Sequence, residues 1–312
     1  YAKRRAKVAD DDADGFHRLA RWAEKEDLFE EEKDALTLAL RADPEHKRAR
    51  ARMDEVLEAE ARHRRYETPW RREASVLYVE TNTTQALLHS YCDSVAAFYN
   101  RFSKVFRVTR DPVQKWGRKI GVKIFASRED FDRYQRESRG RAGESTVGFY
   151  SLERKELVLY HDPADVDETL NTLFHEGTHL FCHLALDDRF YDLPIWISEG
   201  IAEYFGTARF DRAAKDLEFG RLSPMRLLDA RECLDRQPVS LRADLLTYED
   251  YASFGATRYA LAWSLVHMLI EKRRPGSDRP IYRDRFVRYF DAVAGGADAL
   301  VAFEEHVGPA RA

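Results

Sequence analysis

The sequence of 312 residues predicts an α+β protein, in which an α-helical N-terminal segment precedes a larger mixed domain. Three observations predict this fold class. Apolar residues recur at helical spacing through the first 65 residues, short runs typical of strands occur between residues 75 and 160, and helical spacing returns after residue 166. We therefore divide the chain into an α-helical segment, 1–65, and a main domain, 66–312.

The N-terminal segment is predicted to contain three helices. They are expected at residues 16–24, 30–41 and 44–64. Asp43 and Pro44 supply a cap and a first-turn proline for the third helix, and the charged residues 1–14 are expected to be frayed. Residues 19–49 resemble a single tetratricopeptide-like hairpin; the alternative is a plain helical leader. Because one repeat cannot stack on itself, we expect it to pack on the main domain or on a protein partner.

The central part of the chain is predicted to form a small sheet with intervening helices. Strands are expected at residues 75–80, 120–125, 146–151 and 156–160, and helices at residues 84–103 and 128–137. Ser127 is the expected cap of the second of these helices. Residues 66–70 interrupt the helical pattern and are expected to be a linker.

The candidate chemistry lies in a predicted helix over residues 166–182, which contains the pattern His-Glu-x-x-His as His175, Glu176 and His179. Four residues turn a helix by about 400°, so the two imidazoles lie roughly 40° apart on one face. Two imidazoles one turn apart can bind the same small cation, and zinc favours nitrogen ligands. Glu176 lies about 100° round from His175, within reach of a water on that cation. One helical turn thus offers two ligands and a general base, as a metal-assisted hydrolase needs.

A second amphipathic helix is predicted over residues 195–205. Glu199 and Glu203 are one turn apart on one face of this helix. Gly200 and Ala202 are small enough to allow close packing against another helix. A tetrahedral zinc site with two histidines needs a further protein ligand, and this helix offers two carboxylates for that role.

His183 is an alternative third ligand. It lies one turn beyond His179, so that three histidines would share one helix. On the helical wheel it is about 80° from His175, which places it further from the cleft. For this reason it ranks below Glu199.

The segments His175-Glu-Gly-Thr-His179 and Trp196-Ile-Ser-Glu-Gly-Ile-Ala-Glu-Tyr204 resemble the gluzincin group of zinc metallopeptidases. In particular they resemble an uncharacterised bacterial family of proposed gluzincins, which has the sequence motifs HE-x-x-H and W-x-S-E-G-x-A-E-Y. The resemblance covers roughly residues 75–270, and the two helices are its most specific part. It implies a zincin-like domain, in which a small mixed sheet and the HExxH helix are followed by a mainly helical C-terminal lobe.

The resemblance also implies roles for individual residues. His175, His179 and Glu199 would hold one Zn²⁺, and Glu176 would be the general base. Glu203 would correspond to a carboxylate that holds a ligand histidine by its other ring nitrogen.

A strand beside the active helix pairs with the extended substrate backbone in gluzincins. By that analogy Gly148, Phe149 and Tyr150 are candidates for substrate contact, through main-chain hydrogen bonds that are indifferent to side chains. An ordinary covered sheet edge is the alternative interpretation.

A later helix is predicted over residues 257–270, and its opening Tyr259-Ala-Leu-Ala-Trp resembles a segment of some gluzincin aminopeptidases. There a tyrosine stabilises the negative charge that develops on the carbonyl oxygen. Tyr259 is therefore the second catalytic candidate, and Tyr248, Tyr251 and His267 are its competitors. The chain lacks the Gly-Ala-Met-Glu-Asn type of motif that holds a free amino terminus, so aminopeptidase activity is not implied.

The composition of the chain bears on nucleic-acid binding, membrane spanning and disulfide bonding. A net charge of −4, from 51 basic and 55 acidic residues, gives no reason to expect nucleic-acid binding. No apolar run has membrane-spanning length. The three cysteines cannot form a full disulfide framework and show no metal-type spacing. The chain begins with Tyr1, so we expect a trimmed form in which an export signal would be invisible, and both cell-envelope and cytoplasmic locations stay open.

The function we expect is zinc-dependent hydrolysis of a peptide or protein substrate by a metal-activated water, with Glu176 as general base. One alternative is a non-catalytic zinc-fold scaffold that holds a partner through its N-terminal helices or its cleft. Another is a hydrolase of a non-peptide amide. The intact HExxH with Glu199 argues against a scaffold, because a scaffold does not need Glu176.

Overall fold

The computed structural model describes residues 1–108, 111–143, 146–212, 214–236 and 238–308. It is a mixed α+β structure with a small sheet and a larger helical part, as the sequence predicts. Among these residues, no helix is both long and apolar enough to cross a membrane.

The N-terminal segment is entirely helical and has its own apolar cluster. Its helices are α1 (Ala2–Arg5), α2 (Ala13–Lys25), α3 (Phe29–Ala42) and α4 (Lys47–His63). The expectation of a frayed start is wrong, because α1 is helical and Tyr1 packs on the cluster. The segment also packs on the main domain: the ring of Phe29 lies 4.8 Å from that of His89, and His63 stacks on Trp70 at 4.0 Å.

A five-stranded mixed sheet forms the centre of the main domain. Its strands are β1 (Trp70–Glu73), β2 (Leu77–Thr81), β3 (Ile120–Phe125), β4 (Gly148–Ser151) and β5 (Glu156–Tyr160). The spatial order is β1-β2-β3-β5-β4. The three central strands are parallel, whereas β1 and β4 run antiparallel at the two edges.

The predicted strands at residues 120–125 and 156–160 match β3 and β5 residue for residue. The linker prediction is wrong at its end, because Trp70 begins the edge strand β1. Three charged residues follow Trp70 in that strand, and an exposed edge strand has no apolar alternation to reveal it. The predicted cap is confirmed: the Ser127 side chain accepts a hydrogen bond of 3.1 Å from the Asp130 N–H.

Helices cover both faces of the sheet. They are α5 (Gln85–Phe106), α6 (Pro112–Trp116), α7 (Arg128–Arg139) and α8 (Val166–Leu186). Leu157 and Leu159 of β5 join the main core with α5 and α8. Val158, between them, packs instead with Phe131 of α7. This alternation fixes which side chains of the sheet can face α8.

The C-terminal part is mainly helical. It contains α9 (Ile195–Gly206), β6 (Arg209–Asp211), β7 (Asp216–Glu218), α10 (Pro224–Arg236), α11 (Ala256–Glu271), α12 (Arg283–Ala294) and α13 (Ala299–His306). Strands β6 and β7 form a separate two-stranded hairpin. The helix predicted over residues 257–270 corresponds to α11.

An aromatic cluster joins α5, α8 and α9. Phe98 of α5 lies 5.0 to 5.2 Å, ring centre to ring centre, from Phe174 and Phe181 of α8 and from Phe205 of α9. A Cβ on Gly177 would come within 2.9 Å of the Phe98 ring, so glycine at this point allows the close approach. The cluster therefore sets α8 and α9 side by side.

Strand β4 is the edge of the sheet that faces α8. Val147 accepts a hydrogen bond of 2.9 Å from the Tyr160 N–H, so the alternation of an antiparallel pair directs the polar groups of Phe149 toward β5. The backbone groups of Gly148 and Tyr150 then point outward. In the described part of the chain, no other strand pairs with this outer edge.

Replacing Gly200 with alanine should destabilise the protein by about 1–3 kcal/mol. A Cβ at this position of α9 would lie 2.8 Å from both the Ala262 carbonyl oxygen and the Val266 Cγ2 of α11. Thermal unfolding measures the change. Gly206→Ala is a matched control on the same helix, because its nearest neighbours would lie at an ordinary 3.6 Å. Equal melting temperatures for Gly200→Ala and the wild type would contradict the prediction.

Candidate metal centre

Helix α8 presents the two predicted histidines on one face. The rings of His175 and His179 lie 5.1 Å apart, centre to centre, and are inclined at 75°. Asp165 caps the start of this long helix by accepting a hydrogen bond from the Glu168 N–H. The imidazoles therefore project from the middle of a rigid element.

Helix α9 brings Glu199 to both histidines. Its Oε2 lies 3.6 Å from His175 Nε2, and its Oε1 lies 3.7 Å from His179 Nε2. Glu199 is only 2% exposed. One ligand atom from each of these three residues lies within 4.8 Å of the others, so the group could hold a metal ion.

The donor atoms fit a small cation. Bonds of about 2.0–2.1 Å in a tetrahedral site separate neighbouring donors by about 3.4 Å, close to the distances between Glu199 and the two rings. Loss of solvent, reinforced by the neighbouring His179, lowers the pKa of His175 to about 4. The ring is therefore neutral near pH 7 and keeps the nitrogen lone pair that a metal needs.

The other ring nitrogens also have partners. His179 Nδ1 lies 3.1 Å from the Ser198 hydroxyl, and His175 Nδ1 lies 3.7 Å from Glu203 Oε1. Arg226 of α10 donates to both oxygens of Glu203, at 2.8 and 2.9 Å. Such contacts orient metal-binding imidazoles.

Glu176 lies beside this group and contacts the edge strand. The outward N–H of Tyr150 donates a hydrogen bond of 3.0 Å to Glu176 Oε2. Among the described residues, Glu176 Oε1 has no hydrogen-bond partner. Burial raises the pKa of Glu176, against the opposing influence of His179. A carboxylate with one anchored oxygen, beside the imidazoles, can accept and return a proton.

Two tyrosines approach Glu199 from the C-terminal lobe. The Tyr251 hydroxyl donates a hydrogen bond of 2.7 Å to Glu199 Oε1, and the ring of Tyr259 lies 5.5 Å from the guanidinium carbon of Arg226. Burial, with the nearby Glu199, raises the pKa of Tyr259 to about 12. Its hydroxyl is therefore a neutral donor at pH 7. The other two alternatives to Tyr259 form hydrogen bonds away from Glu199. Tyr248 bonds with Ser253, and His267 bonds with the Gly220 carbonyl.

His183 does not join the described group. Its Nδ1 lies 2.7 Å from the Tyr150 hydroxyl, and its Nε2 lies 3.2 Å from Lys155 Nζ. Because the ammonium only donates, Nε2 accepts and Nδ1 carries the proton. Burial, with the nearby Lys155 charge, lowers the pKa of His183 to about 4. His183 thus fastens β4 to α8.

The three residues predicted to contact the substrate have different surroundings from one another. Gly148 lines a cavity of about 430 Å³ that also touches His175 and Glu176, and we call this the histidine cavity. The side chain of Phe149 packs against Phe131 on the opposite face of the sheet. The Tyr150 side chain is held by His183, and its N–H is engaged by Glu176. Gly148 is thus the residue of β4 that lines the cavity, and because it has no side chain it presents only backbone there.

Sequence reasoning did not identify Ser198 or Arg226, and it treated Tyr251 as a competitor of Tyr259. Ser198 precedes Glu199 on the same helix, but its contact with His179 depends on how α9 packs on α8, which residue spacing does not report. Arg226 and Tyr251 reach the centre only through the path of the chain after α9, which no periodic pattern reports.

Comparison with known proteins gives one family match. A family model described as a protein of unknown function (DUF1570) matches residues 169–279. The match runs from the first turn of α8 beyond the end of α11, and so includes His175, His179 and Glu199. No curated protein matches the chain.

Replacing Glu199 with glutamine should weaken metal binding by more than about 100-fold, and Glu203→Gln by about 10- to 100-fold. Glu199 faces both rings, whereas Glu203 contacts only the far nitrogen of His175. Titration of the metal-free protein with Zn²⁺ or Co²⁺, followed by calorimetry, measures both affinities. Glu168→Gln removes a carboxylate that lines the same cavity and should change little. Equal losses for Glu199→Gln and Glu168→Gln would move the third ligand elsewhere.

Proposed function

We propose that this protein is a zinc-dependent peptidase of the gluzincin type, with one Zn²⁺ held by His175, His179 and Glu199. The observation that carries the proposal is the buried carboxylate of Glu199, which faces two imidazoles from a neighbouring helix. Two nitrogens and one carboxylate oxygen match a catalytic zinc site, which leaves a position for water. Zinc, when bound, lowers the pKa of water and polarises a carbonyl group.

We propose a zincin-like architecture for the main domain. The support is the arrangement of β4, α8 and α9: an edge strand beside the HExxH helix, and a third donor from the next helix. The aromatic contacts of Phe98 hold α8 and α9 in this relation. The family match covers the two helices but carries no statement of activity.

Glu176 is the general base in this proposal. It takes a proton from the attacking water and returns it to the leaving amine. The Tyr150 N–H fixes one carboxylate oxygen, and the other remains free to move the proton. A raised pKa, from burial, suits a group that must both accept and release a proton near neutral pH.

The outer edge of β4 positions the substrate. The N–H and C=O of Gly148 and the C=O of Tyr150 point away from β5 and can pair with an extended peptide. Backbone pairing places a scissile amide beside Glu176 without requiring particular side chains. It favours a peptide over an isolated small amide as substrate.

Tyr259 stabilises the developing negative charge on the carbonyl oxygen, and Tyr251 holds Glu199. This division follows from contacts: the Tyr251 hydroxyl is bonded to Glu199, whereas the Tyr259 ring lies beside Arg226, the partner of Glu203, and its hydroxyl has no hydrogen bond to Glu199 among the described residues. A tyrosine with a raised pKa donates a hydrogen bond without losing its proton.

Glu176→Gln should retain bound zinc and lose turnover of a peptide substrate by about 10²- to 10⁴-fold, because glutamine cannot take the proton. Zinc content by atomic absorption and cleavage of an unfolded protein measure the two effects on one sample. Chelation should abolish the wild-type cleavage, and added zinc should restore it. Full activity of Glu176→Gln with zinc bound would refute the assignment of the base.

Tyr259→Phe should lower kcat by about 10- to 10³-fold while zinc affinity stays unchanged, since only the charge-stabilising donor is removed. Tyr251→Phe should instead weaken zinc binding, because it deletes a hydrogen bond to Glu199. Steady-state kinetics and zinc titration of both variants separate the two roles. If Tyr251→Phe instead lowers kcat and Tyr259→Phe weakens zinc binding, the roles of the two tyrosines are the reverse of those proposed.

A further inference from the structure

A second cavity adjoins the histidine cavity. It measures about 540 Å³ and lies between the start of α8, the end of α9, the β6–β7 hairpin and the start of α10. The residues that line both cavities are Asn171, Gly206, Thr207 and Ser223. A bound peptide that extends from the histidine cavity past Gly206 would therefore enter this second cavity.

The lining of the second cavity is basic. Its charged residues are Arg209, Arg212 and Arg221, opposed by the single carboxylate of Asp167. Arg221 forms an ion pair of 3.0 Å with the exposed Glu218. Within the described ranges, Arg209 and Arg212 make no ion pair. Two guanidinium groups thus face the cavity without a partner carboxylate.

This concentration of positive charge contrasts with the chain as a whole, which carries a net charge of −4. The start of α10 adds to it, because Ser223 caps that helix and lines both cavities. A helix N-terminus carries a partial positive charge. Charges of one sign in a cleft raise the local concentration of ligands of the opposite sign.

We propose that this second cavity, the arginine cavity, binds acidic side chains of the peptide substrate next to the scissile bond. The proposal rests on the peptidase function proposed above and adds the class of substrate. Arginine presents a planar fork of donors that matches a carboxylate, so aspartate or glutamate is the side chain that fits. The apolar residues of the lining, Leu170, Phe210 and Leu222, contact the short stem of such a side chain.

The test compares two fluorescent peptides that differ only in a Glu-Glu pair replaced by Gln-Gln. Binding to zinc-loaded Glu176→Gln protein is measured by anisotropy at low salt, so that no cleavage occurs. We expect the acidic peptide to bind about fivefold more tightly, since each exposed charge pair contributes modestly. In an R209Q/R212Q background the difference should vanish. Equal affinities in the first protein, or an undiminished difference in the second, would overturn the proposal.

Two controls make the comparison specific. R231Q/R236Q removes two exposed arginines from α10, outside both cavities, and should preserve the fivefold difference. R209E/R212E should reverse the preference toward a Lys-Lys peptide, which a general loss of folding cannot do. Cleavage of the two peptides by the wild-type protein tests the proposed function separately. If neither peptide is cleaved but the arginine-dependent difference in binding persists, the peptidase proposal fails. The proposal that the arginine cavity binds acidic side chains then still holds.

Discussion

A carboxylate that is almost entirely removed from water must have compensating partners, and Glu199 is such a group. Its two oxygens face His175 and His179, and Tyr251 donates to one of them. Arg226 of α10 donates two hydrogen bonds to Glu203. The imidazole of His175, whose pKa burial lowers to about 4, is neutral and does not balance the charge of a carboxylate. A divalent cation among these three ligands would balance it, and so the buried Glu199 is the constraint on which the site depends.

The surrounding fold holds that carboxylate in place. Gly200 lets α9 approach α11, and Gly177 lets Phe98 approach α8, so both helices are fixed on the sides away from the cleft. The edge strand β4 is fastened to α8 by contacts of Tyr150 with Glu176 and His183. Among the described residues, no strand pairs with the outer side of β4, where the backbone groups of Gly148 point. A rigid centre therefore lies beside a strand edge that, under the proposed function, would pair with an extended peptide.

The sequence predicted those parts of the site that one helical turn determines. The spacing of His175, Glu176 and His179 fixes their relation on any helix, and α8 brings them together as expected. Glu199 could be assigned only through resemblance, because nothing in the spacing says how two helices pack. The charged strand β1 and the contacts of Arg226 and Tyr251 were missed. They depend on tertiary packing and on irregular connections, which leave no periodic pattern.

X-ray absorption spectroscopy of the zinc-loaded protein is the most direct test of whether α8 and α9 together supply the zinc ligands. Nitrogen and oxygen neighbours are expected at about 2.0–2.1 Å from the zinc, with outer scattering from two imidazoles and none from sulfur. In Glu199→Ala the two imidazole contributions should remain while the carboxylate contribution is lost. A spectrum with three imidazoles, or one unchanged by Glu199→Ala, would contradict the account.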